Sequence, residues 1–112
     1  MKNISIVEYE YAELQPWLSE LSNFALWWDD WDEASIERCW LAVDESRKEL
    51  AIVGFLTRDR DFLCVAIEVK SEYQGQGIGL ALCEESATYQ PACNENPGFW
   101  YRVEQEFLPC AN

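Results

Sequence analysis

The chain contains no histidine. That excludes Ser-His-Asp and Cys-His catalysis, imidazole metal ligation and the side chain best suited to proton transfer near neutral pH. Any proton must move through a carboxylate, a tyrosine, a thiol, a lysine or water. Basic residues are also scarce: eight Lys and Arg stand against 21 Asp and Glu, a formal net charge of −13. Such a surface repels phosphate backbones, so direct nucleic-acid binding is not expected, whereas amines, polyamines and basic proteins are attracted. Long hydrophobic runs are missing too. No segment reaches the roughly 18–20 apolar residues of a membrane span, and no charged-then-apolar leader opens the sequence, so a soluble, cytoplasmic protein with no membrane partner is expected. The five cysteines are odd in number and include no CxxC pair. Cys39 and Cys64 fall in apolar strand candidates and read as small buried hydrophobes, so neither a disulfide framework nor a metal site is expected.

What is present is apolar and aromatic. Of 112 residues 49% are hydrophobic, with six Trp, five Tyr and five Phe, enough for a single domain over 1–112 with a substantial core. The most informative stretch is Glu72-Tyr73-Gln74-Gly75-Gln76-Gly77-Ile78-Gly79-Leu80-Ala81-Leu82. An apolar run over 62–69 enters it and an amphipathic segment over about 80–89 leaves it, giving strand, glycine-rich turn and helix in that order. Glycines let the backbone turn tightly and approach a ligand. The first amides of the helix then point outward with the positive end of its dipole, which makes an anion site suited to a diphosphate. Nucleoside triphosphate hydrolysis has no support, because Leu80 and Ala81 follow Gly79 where a phosphate loop needs Lys and a hydroxyl. The dinucleotide spacing GxGxxG is not met either.

The spacing that is met is Gln/Arg-x-x-Gly-x-Gly/Ala, filled by Gln74, Gly77 and Gly79. It resembles the coenzyme A signature of the GNAT family of N-acetyltransferases. The likeness extends to Tyr73 before the glutamine, Ile78 between the glycines, the Leu-Ala-Leu helix start and the apolar strand ending in Val69. The order of elements agrees with it. A first strand over 3–8 is followed by a helix carrying Leu14, Trp17, Leu18 and Leu21, a short second helix over 32–38, strands over 39–43 and 50–56, and the strand over 62–69 that delivers the glycine loop. The fold expected is α/β (α+β): a mixed, mostly antiparallel central sheet with flanking helices in the order β-α-α-β-β-β-α-β, as in the GNAT fold. The end of the chain departs from the family. Residues 99–107 read either as a strand, or as a helix capped by Asn96 with Pro97 in its first turn; aromatic and β-branched content favours the strand. Under either reading the family's closing strands are missing. An exposed sheet edge is a liability, so a homodimer that covers it is expected.

The resemblance implies a function and a set of residues. Acetyl-CoA is the implied acyl donor. The pantetheine arm is expected along the backbone of Ile67 and Val69, with the pyrophosphate on the amides of Gln74, Gly75, Gln76, Gly77, Ile78, Gly79 and Leu80. Glu68 interrupts an apolar strand beside the loop and is the candidate base, since burial raises a carboxylate's pKa toward a useful range; the competing readings have Glu68 facing water on the open side of the sheet, or a base shared through ordered water. Tyr101 is the candidate acid for the departing thiolate if 99–107 is helical. Trp27, Trp28, Asp29, Asp30 and Trp31 offer π faces and negative charge to a cationic acceptor, with roughly 0.5–2 kcal/mol per good cation–π contact; the competing reading places the tryptophans in the core. The function expected is N-acetylation of a primary amine on a small molecule, a polyamine or a basic protein. A coenzyme-binding module without catalysis, and an acidic protein that masks a basic surface, remain open alternatives.

Overall fold

The computed structural model describes residues 3–29, 31, 35–46, 51–93 and 96–107. Four strands, β1 (Ile4–Glu10), β2 (Arg38–Asp44), β3 (Ala51–Arg58) and β4 (Cys64–Val69), form one sheet in sequence order. Every neighbouring pair is antiparallel. β2 and β3 are almost continuously apolar because both faces of the sheet are covered. On one face Cys39, Leu41 and Val43 pack with Leu14, Leu21, Phe24 and Trp27. On the other, Trp40 and Ala42 pack with Ile78, Leu82, Trp100 and Val103. A bulge sets these faces on β3. Val43 pairs with Ile52 but Ala42 pairs with Gly54, so Val53 is the extra residue. The insertion lets Ile52 and Phe55, three apart, share one face while Val53 and Leu56 share the other.

The first face is covered by a 3-10 turn (Tyr11–Trp17) running into the short helix α1 (Leu18–Leu21). Leu14 and Leu21 are fully buried, as their helical spacing predicts. The second short helix expected over 32–38 falls partly on residues 32–34, which lie outside the described residues. Ser35, Ile36 and Glu37 form no helix, and Arg38 opens β2. The opposite face carries α2 (Ile78–Ser86) and α3 (Pro97–Phe107).

Helix α3 corrects the strand favoured for residues 99–107. The Asn96 side chain accepts the Phe99 N–H at 3.3 Å and its carbonyl accepts the Trp100 N–H at 3.2 Å, and Pro97 takes the first helical position. Trp100 and Val103, three residues apart, are the buried pair. In a strand these two would point to opposite faces. Tertiary burial of one helical stripe thus outweighs aromatic β-propensity, which mainly measures packing context.

After α2 the chain returns beside β4 for a single parallel bridge between Cys64 and Pro91. Cys64 N–H donates to the Gln90 carbonyl at 2.9 Å, and Ala92 N–H donates to the Cys64 carbonyl at 2.8 Å. Among the described residues no further bridge forms on this edge of β4, and Ile67, Glu68 and Val69 line a cleft. No helix among the described residues is long and apolar enough to cross a membrane.

Candidate functional site

The glycine loop is anchored at its root before it turns. Lys70 N–H donates to the Val53 carbonyl at 2.8 Å, and Ser71–Tyr73 then makes one 3-10 turn. The Tyr73 hydroxyl donates to Oδ2 of Asp44, a buried carboxylate at the end of β2, at 2.7 Å. Gly75 and Gly77 follow with φ of 84° and 85°. Any other L-residue would strain this left-handed backbone by roughly 1–2 kcal/mol. A Cβ at either position would meet no atom of the described residues within 4 Å. These two glycines therefore answer to the backbone turn and leave the space above it open.

Helix α2 starts from that turn. Its first intrahelical bond runs from Ala81 N–H to the Gly77 carbonyl at 3.0 Å. The amides of Ile78, Gly79 and Leu80 precede it and have no acceptor within the helix. Among the described residues no side chain caps them, and no acidic residue sits in the first turn. Gly79 serves a different purpose from the other two glycines. A Cβ there would lie 3.0 Å from Cε1 of Phe99, so Gly79 is the point where α3 closes against α2.

These elements enclose a cleft of about 400 Å³. Ile67, Glu68, Val69, Gln74, Gly75, Gly77, Ile78, Gly79 and Leu80 all line it; Gln76 does not. Antiparallel ladders alternate residues that bond inward with residues that face away. Since Lys70 bonds to β3, the backbone groups of Ile67 and Val69 face the open edge. Nε2 of Gln74 donates to the Val69 carbonyl at 2.9 Å, so the side chain of the motif glutamine is committed to its own backbone.

The Glu68 carboxylate accepts the Leu26 N–H at 2.7 Å and the Ala25 N–H at 3.3 Å. It pins the turn after Phe24 to β4 and brings Leu26 to the cleft. The aromatic segment beyond divides. Trp27 is core, its ring edge-on to Phe55 at 5.4 Å and to Trp31 at 5.0 Å. Trp31 is half-buried, while Trp28 is 64% exposed. Asp29 is exposed and accepts the Ser22 hydroxyl at 2.9 Å. Asp30 lies outside the described residues. None of the four described ones, Trp27, Trp28, Asp29 and Trp31, lines the cleft. Tyr101 does not line it either: it is 64% exposed over a separate hollow with Tyr89, Pro91 and Pro97.

Burial pushes the thiols of Cys39, Cys64 and Cys83 upward, that of Cys83 to about 12. None of the three is a thiolate near neutral pH, so they serve as apolar filling and not as nucleophiles. Sequence reasoning missed the far wall of the cleft, formed by Leu26, Asn96, Phe99 and Arg102. A signal for three of these existed in the Asn-Pro helix start and the three-residue spacing from Asn96 through Phe99 to Arg102, which lays them along one helical stripe.

The sequence model of the acetyltransferase (GNAT) family matches residues 1–105. No curated protein and no solved structure matches the chain. A glycine turn that opens a helix beside a free strand edge, within a match spanning nearly the whole chain, has one reading: the chain belongs to the acetyltransferase (GNAT) family.

Proposed function

We propose that the protein transfers the acetyl group of acetyl-CoA to a primary amine. The observation that carries this reading is the juxtaposition in one cleft of uncapped helix amides, an open strand edge and a carboxylate. Acetyl-CoA fits what lines the cleft. The amides of Ile78, Gly79 and Leu80 suit a diphosphate, and the turn at Gly75 and Gly77 leaves room above it. The backbone of Ile67 and the N–H of Val69 offer an extended, amide-bearing arm the hydrogen bonds of an added strand. When bound, the coenzyme supplies an activated thioester carbonyl.

The chain's own residues then orient the amine and handle its proton. Two amides occupy part of the acceptor capacity of Glu68, and a carboxylate has about four lone-pair sites. The remaining sites would take one proton from the incoming ammonium; the free amine would form the new C–N bond as the C–S bond breaks, and the second nitrogen proton would pass to solvent. The departing thiolate takes its proton from solvent. A net charge of −13 raises the local concentration of cationic acceptors, and Trp28 and Asp29 stand exposed two and three residues beyond Leu26.

Isothermal titration with acetyl-CoA, with ATP as control, tests the first half of the proposal. Micromolar binding of acetyl-CoA without ATP binding is expected, followed by thiol release in the presence of a primary amine. Absence of coenzyme binding overturns it.

A further inference from the structure

The glycine loop brings amides to the diphosphate site but no positive charge. Its motif side chain, Gln74, is neutral and spends its amide on the Val69 carbonyl, and α2 carries no basic residue. Most other described cations are engaged. Arg38 lies between Glu8 at 2.8 Å and Glu10 at 3.5 Å. Arg58 is buried, pairs with Glu37 at 2.8 Å and stacks between Trp40 and Phe62. Lys70 lies over the Phe24 ring at 5.7 Å. Arg60 lines a different hollow, with Glu10 and Glu37.

Arg102 is different. It lines the cleft and forms no ion pair among the described residues. Glu106, four residues on along α3, would be its ordinary helical partner, yet the two do not pair. Phe99, one turn earlier, sits against Gly79 so closely that a single added Cβ would come within 3.0 Å of its ring. That contact fixes the position of α3 relative to the start of α2 and keeps Arg102 in the lining of the same cleft as the amides of Ile78, Gly79 and Leu80.

We infer that Arg102 is the cation that binds the diphosphate of the coenzyme, so that the charge for this site comes from α3 and not from the glycine loop. The inference rests on the acetyl-CoA reading given above. Guanidinium binds phosphate oxygens through paired, charge-assisted hydrogen bonds. In a protein this acidic, a cation that forms no ion pair among the described residues also offsets the repulsion that an anionic ligand meets on approach.

The test compares wild type, Arg102→Gln and Arg102→Lys by calorimetry with coenzyme A, dephospho-coenzyme A and pantetheine. Arg102 is exposed, so both variants are expected to keep the wild-type melting temperature. Arg102→Gln is expected to weaken coenzyme A and dephospho-coenzyme A equally, by roughly tenfold to a hundredfold, and to leave pantetheine unchanged. Arg102→Lys should recover part of the loss, and the weakening should shrink as salt rises. Unchanged coenzyme A affinity in Arg102→Gln overturns the inference. So does an equal loss for pantetheine, which indicates a steric role, or a loss confined to coenzyme A, which places the guanidinium on the 3′-phosphate. Wild-type protein that binds none of the three ligands overturns the acetyl-CoA reading and this inference together.

Discussion

The two walls of the cleft are built in different ways. The near wall, from Val69 through Leu80, is local: its shape follows from two left-handed glycines and the first turn of a helix that begins one residue later. The far wall is assembled from distant pieces of chain. Leu26 is held there through Glu68, which accepts amides 42 and 43 residues away in sequence, and Phe99 reaches Gly79 from a helix that begins eighteen residues later. The near wall presents backbone and the far wall presents side chains. A backbone cradle tolerates little substitution but carries no charge of its own. A side-chain wall can vary its charge and its acceptor chemistry without disturbing the cradle, which fits a family whose members share a fold and differ in substrate.

The comparison breaks most sharply at Gly77. Gly77→Glu puts a carboxylate into open space beside the helix amides and forces a strained φ. Coenzyme affinity should fall more than a hundredfold, with a stability loss of only about 1–2 kcal/mol. Calorimetry and a thermal melt measure the two effects separately. Retained affinity would mean that the near wall is a connecting turn and nothing more.

Glu68→Gln addresses the link between the walls, where β4 holds the Ala25–Leu26 turn. The variant keeps an oxygen for one of the two amides but loses the charge that takes a proton. Turnover should drop on the order of a hundredfold with coenzyme affinity nearly unchanged. If affinity falls as much as turnover, Glu68 acts by positioning the Ala25–Leu26 turn, and the two walls are mechanically coupled.

The smallest effect concerns the layer beneath both walls. Cys83 on α2 and Cys64 on β4 are packed into the same core. The Cys83 thiol is held at about 12, against an ordinary value of 9.0. The unfolded chain therefore loses this proton at lower pH than the folded protein. The corresponding stability is complete below pH 9 and is lost as pH rises from there through about 12. Cys83→Ala removes one titrating thiol. It should flatten the alkaline stability slope by up to about 1.4 kcal/mol per pH unit, read from urea unfolding at stepped pH. An unchanged slope would show that the thiol does not stay protonated under α2.

Much of the fold was legible because its determinants lie close together along the chain. The apolar runs became β2, β3 and β4, Leu14 and Leu21 became buried helical positions, and Gln74 to Leu80 became a turn that opens a helix. The tryptophans were harder. Trp27, Trp28 and Trp31 sit within five residues of one another, yet one is core, one half-buried and one exposed, and only the position of Phe55 on a distant strand separates them. Residues 99–107 were ambiguous because aromatic content favours a strand while an Asn-Pro start favours a helix. The answer depends on which face finds a partner.

What the sequence determined by itself is therefore the backbone chemistry: a strand, a glycine turn and an uncapped helix start, all fixed by steric limits on φ and by the hydrogen-bond count of a helix end. Tertiary structure alone decided which side chains face that cradle. It turned Tyr101 away, brought Arg102 and Leu26 in, and committed Glu68 to two amides. The physical reason is that backbone conformation is set by neighbours in sequence, whereas a side chain's surroundings are set by whichever surfaces the core requires to be buried together.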